Sequence, residues 1–184
     1  AATEPSPIRS LPSPPGALSI PSASRWAPVR PAATSVSLPS PLAACDEIDC
    51  PTDATALGNG VRLVNLVATV TNSSGTAQEI VIPRGQTFTS VDTAYQDGMA
   101  AERLQGTIGP GATRTFVLYV FCINLDRGIP PTGALYLPGP VTGNAQLLDI
   151  ASLADGKIGV AADPATLKAG GVQMAIWEVT DGLG

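Results

Sequence analysis

Three cysteines carry most of the chemistry that this 184-residue chain could hold. Cys45 and Cys50 enclose only Asp46-Glu47-Ile48-Asp49, so they are expected to bridge and close a short loop. A bridged pair suits an oxidising compartment better than the cytosol. That pairing leaves Cys122 over. It stands in Phe121-Cys122-Ile123-Asn124 at the end of a long apolar run, with Pro130-Pro131 a short way beyond. A thiol placed there reads either as a small buried hydrophobe or as a reactive group. The acids Asp46, Glu47, Asp49 and Asp53 could offer oxygens to calcium. They lack the alternate spacing and central glycine of a calcium loop and read as a solvated turn.

Much other chemistry is excluded. The chain has no histidine, which removes Ser-His-Asp and Cys-His nucleophiles and every histidine metal site. Without histidine or a Cys-x-x-Cys pair, zinc has no ligand set. No two of the acidic residues stand apart as a hydrolytic pair. No enzymatic role, metal or cofactor is therefore expected. Asn72-Ser73-Ser74 is a formal glycosylation sequon in a turn. A net charge of −5 cannot neutralise a run of phosphates, so nucleic acid is not an expected partner. No apolar run reaches the roughly 20 residues that a membrane-spanning helix needs.

The elements that must position Cys122 are mostly strands. The run from Val61 to Val70 alternates and ends in the turn cluster Thr71-Asn72-Ser73-Ser74-Gly75. Strand patterns recur over 78–82, 86–91 and 103–108, and Gly109-Pro110-Gly111 marks another turn. Thr113–Cys122 is the strongest strand; apolar on both faces, it is expected to be central. Short strands at near-regular spacing predict a mainly β fold, an immunoglobulin-like antiparallel sandwich. Near the C-terminus the period changes, which predicts two or three short helices. Leu147, Ile150, Ala151 and Ala154 predict a helix of about three turns. Asp163-Pro164 starts a short helix ending near Gly170-Gly171, and Val172, Ala175, Ile176 and Val179 repeat the helical spacing in another.

Residues 1–44 differ from residues 45–184. They hold ten of the 18 prolines and carry Arg9, Arg25 and Arg30 against Glu4 alone, whereas the remainder is acidic. They are expected to form an extended arm before a single domain. Apolar residues recur along it, notably Leu18, Ile20, Trp26, Val36 and Leu38, twice alternating with serine as in a half-buried strand. These residues are expected to anchor the arm to a neighbouring copy. The opening Ala1-Ala2-Thr3-Glu4-Pro5 reads as the start of a chain after signal cleavage, which with the cysteines predicts an extracellular or cell-surface protein.

The glutamine of Val172-Gln173-Met174-Ala175-Ile176-Trp177 completes a second pattern. Phe121-Cys122-Ile123 followed by Pro130, together with Val172-Gln173 and Ile176-Trp177, resembles the thioester domains of Gram-positive surface adhesins. The resemblance implies that the Cys122 sulfur joins the Gln173 side-chain carbonyl with loss of ammonia. It implies a thioester that reacts with an amine or hydroxyl of a surface ligand, and Trp177 as cover against water. Two functions are thus expected. The leading one is a secreted structural subunit that polymerises through its arm by donating a strand, helped by a basic arm meeting an acidic domain. The alternative is an adhesin domain that binds its partner covalently through Cys122 and Gln173.

Overall fold

The computed structural model describes residues 37–46, 48–58, 64–155 and 162–183. The expected arm anchors Leu18, Ile20, Trp26 and Val36 lie outside these residues. Leu38 is described and packs, half-buried, against the main core.

Nine strands and two helices follow one another in the described residues. They are β1 (Leu42–Cys45), β2 (Thr55–Leu57), β3 (Val64–Thr71), β4 (Gln78–Ile82), β5 (Gln86–Ser90), β6 (Gly98–Met99), β7 (Leu104–Ile108), β8 (Thr113–Cys122), β9 (Leu135–Val141), α1 (Ala145–Ala154) and α2 (Ala162–Asp181). The chain is mainly β, with its helices near the C-terminus, as the periodicity predicts. The expected sandwich is not what the strands build. Hydrogen bonding runs β8–β3–β1–β9–β5–β6 and returns from β6 to β8, closing a six-stranded barrel. Closure depends on β6, only two residues long, which pairs Gly98 with Cys122 and Met99 with Phe121. Farther back on that edge β2 pairs parallel with Phe116, Val117 and Leu118, while β3 fills the opposite edge antiparallel.

Alternation places the barrel core. Phe116, Leu118, Val120 and Cys122 of β8 join Val64, Leu66, Ala68 and Val70 of β3 inside. Phe121 belongs to a second cluster with Met99, Leu147, Ala154, Ala169 and Ile176, where the two helices meet the barrel wall. β8 therefore buries both faces, the physical reason for its continuous apolar sequence. The ribbon β4–β7 lies against the same interior through Ile80, Ile82, Leu104 and Ile108. Gly106 permits that approach: a Cβ there would stand 2.7 Å from Phe116 Cε1.

Three further results depart from the sequence expectations. β1 begins at Leu42, inside the segment read as arm, and pairs with both β3 and β9. β9 contains Pro138 and Pro140, yet it pairs with β5 across a bulge near Phe88. Beyond Tyr136 it no longer pairs with β1, so one edge needs no N–H donors. Finally, α2 runs unbroken through Gly170-Gly171. Glycine in a helix interior costs about 1 kcal/mol relative to alanine. Burial of Ala169, Gln173 and Ile176 on either side offsets that cost.

Candidate functional site

α2 carries Gln173, Trp177 and Asp181 at intervals of four residues, and this spacing lays them along one helical face. All three meet the segment that leaves β8. The Gln173 carboxamide lies on the Cys122 backbone: Oε1 accepts from Cys122 N at 2.9 Å, and Nε2 donates to Cys122 O at 2.6 Å. One turn on, Trp177 Nε1 donates to Cys122 Sγ at 3.4 Å. A further turn on, Asp181 Oδ1 accepts from Leu125 N at 3.2 Å. The sulfur also donates to Asn124 O at 3.3 Å. Cys122 is 0% exposed and Gln173 2% exposed, so bulk water reaches neither.

A polar frame holds the other side. Asp97 N donates to Asn124 Oδ1 and Ile123 N donates to Asp97 O. The Asp97 carboxylate accepts from Ser90 N at 2.7 Å and pairs with Arg127 at 2.9 Å. Tyr136 donates its hydroxyl proton to Gln96 O at 2.6 Å within the same end of the barrel. Gly98, opposite Cys122, has no room for a side chain; a Cβ would lie 2.7 Å from Val120 Cγ2. Burial pushes the Cys122 thiol pKa upward. The Asn124 backbone and the Trp177 N–H act against that, and the carboxylates of Asp181 and Asp97 add to it. Burial likewise raises the Tyr136 hydroxyl well above its ordinary value.

The structure thus brings Cys122 and Gln173 together across 51 residues of sequence. It places Gln173 in the middle of a long helix, whereas the sequence reading puts it in a first turn. Cys45 and Cys50 are bridged, with Cα atoms 5.0 Å apart. Within that loop Asp46 Oδ1 accepts from Ile48 N and Asp49 N, and Asp49 Oδ2 accepts from Thr132 Oγ1. Those carboxylates cap a turn. Glu47 lies outside the described residues. Among the described residues no cluster of three or more acids or cysteines is arranged to hold a metal ion.

Asn72 of the sequon is a buried hub. Its Nδ2 donates to Thr76 O, Ile108 O and Gly109 O, and its Oδ1 accepts from Ser74 N and Ser74 Oγ. The amide nitrogen that a glycan would occupy is thus engaged by the fold. Sequence reasoning missed the Asp181 contact, the Asp97–Arg127 frame and Tyr136. For Asp181 a signal exists, the four-residue spacing from Gln173 through Trp177; for the others nothing local marks them. Comparisons with protein-family models, with curated proteins and with solved structures find no match to this chain.

Proposed function

We propose that this domain forms an internal thioester between Cys122 and Gln173 and uses it to attach covalently to a partner at the cell surface. The observation that carries the reading is the Gln173 carboxamide held by two hydrogen bonds on the backbone of the very residue whose thiol would attack it. Cys122 Sγ adds to Gln173 Cδ, and the oxyanion develops on Oε1, where the Cys122 N–H already points. The C–N bond then breaks. The thiol proton leaves with Nε2 as ammonia, and the acyl group stays on sulfur. Burial keeps water from the product. A partner's amine or hydroxyl later takes the acyl group and returns the thiol, so each molecule reacts once and the domain is no enzyme.

The disulfide Cys45–Cys50 suits the oxidising exterior that this role requires. No described helix is long and apolar enough to cross a membrane. The filament reading has less to support it. Its arm anchors up to Val36 lie outside the described residues. Within those residues the six strands of the barrel itself are paired on both sides, which leaves open edges only on β2 and on the β4–β7 ribbon.

Intact mass spectrometry tests the proposal. The protein should weigh one ammonia less than its sequence, counting the disulfide. Cys122→Ala and Gln173→Ala should each abolish the deficit, and methylamine should add to the wild type alone. A full sequence mass together with a freely titrating Cys122 thiol would refute the thioester.

A further inference from the structure

Trp177 has a more specific part than cover. We infer that Trp177 is a catalytic hydrogen-bond donor whose indole N–H stabilises negative charge on the Cys122 sulfur, and that this donation accelerates opening of the bond by a nucleophile. The inference deepens the thioester reading and rests on it for its role in opening the bond.

The geometry gives the sulfur two polar partners of opposite kind. Asn124 O accepts the thiol proton at 3.3 Å, and Trp177 Nε1 donates at 3.4 Å. A neutral thiol or thioester sulfur is a weak acceptor, whereas a thiolate is a strong one. A half-buried indole N–H that ends on sulfur is therefore best matched to the charged state. The surroundings make that match matter. Burial above all disfavours charge on Cys122, and the carboxylates of Asp181 and Asp97 disfavour it further. Arg127, a cation of this frame, is paired with Asp97, and the Tyr136 hydroxyl donates to Gln96 O and not to the sulfur. Among the described residues Trp177 is the one side chain that donates to the sulfur. During opening, an amine nitrogen bonds to Gln173 Cδ, and the C–S bond breaks with its electron pair passing to Sγ. The amine proton ends on that sulfur. Charge on Sγ peaks just before it arrives, where the indole N–H acts.

The test removes the N–H, once with loss of the fused second ring and once with the bulk of the indole kept. Trp177→Phe, and incorporation at position 177 of benzothienylalanine, a Trp isostere without the N–H, should each slow methylamine addition about tenfold, the factor expected for losing one hydrogen bond to a charged group. A rate unchanged or raised in both would overturn the inference, since loss of mere cover admits nucleophile and speeds opening. A second measurement stands apart from the thioester. In Gln173→Ala, where no such bond can form, Cys122 is the only free cysteine, and its ultraviolet thiolate absorbance can be followed against pH. Adding Trp177→Phe should shift that titration to higher pH; an unmoved titration would overturn the donation. A wild type without the ammonia deficit would remove the thioester reading, and this titration would still decide what Trp177 does to the sulfur.

Discussion

The two ends of β8 are built by opposite means. At its start, Thr113 and Thr115 face solvent and exchange hydroxyl hydrogen bonds with Thr71 and Thr69. That end is anchored nearby by the Asn72 side chain, which is held by Ser74 and Thr76 in its own turn and by the carbonyls of Ile108 and Gly109. At its finish, Cys122 and Phe121 are covered by α2, and their partners come from residues far along the chain. The first end is an ordinary sheet margin with a polar plug. The second combines an apolar seal with a few directed hydrogen bonds, the arrangement expected where reactivity must be kept from water. One strand thus separates a structural margin from a site.

Substitutions can break that contrast. Phe121→Ala should have the largest effect on stability, about 3–5 kcal/mol, because the ring is buried between the barrel wall and both helices. Chemical denaturation would measure it. If the helices seal the site, the same variant should also lose the proposed thioester to hydrolysis. Asn72→Ala attacks the opposite end and should cost about 1–3 kcal/mol, since the Ile108 carbonyl loses a buried donor and the Gly109 carbonyl keeps only Ala112 N. It should leave methylamine addition intact. In a glycosylating host Asn72 should remain unmodified in folded protein, a point that peptide mapping can check.

A smaller effect distinguishes the ends by pH. Burial raises the Cys122 thiol above its ordinary value of 9.0 and the Tyr136 hydroxyl above 10.0. For acids so shifted, the unfolded chain releases its protons first as pH climbs. Stability is then fully present below about pH 9.0 and declines above it. In the thioester form sulfur has no proton to lose, so the decline should begin only near Tyr136's ordinary value of 10.0. Opening with methylamine should restore the earlier onset, which thermal unfolding across alkaline buffers would show. Smallest of all, Thr71→Val at the exposed end should change stability by less than about 0.5 kcal/mol and leave the pH profile alone.

Much was legible in the sequence because much of it is local. Strand patterns bounded by turn clusters located β3, β4, β5 and β7, a run apolar on both faces located β8, and the spacing of Leu147, Ile150, Ala151 and Ala154 located α1. Cysteine spacing foresaw the Cys45–Cys50 bridge. The pairing of Phe121-Cys122-Ile123 with Val172-Gln173 singled out two residues that do meet. β1, β2, β6 and β9 escaped, being short or rich in proline. So did the continuity of α2, because Gly170-Gly171 reads as a stop wherever propensity alone is weighed.

Tertiary structure alone decided closure and the frame around the sulfur. Two residues of β6 turn an open sheet into a barrel, and nothing in Gly98-Met99 announces a strand. Asp97, Arg127, Asn124 and Asp181 become partners because the loop after β8 is held between the loop before β6 and the last turn of α2. A sequence records periodicity over a few residues, since that is the range over which backbone sterics and side-chain direction act. It records poorly which distant groups will share a buried space, since that depends on how all the elements pack at once.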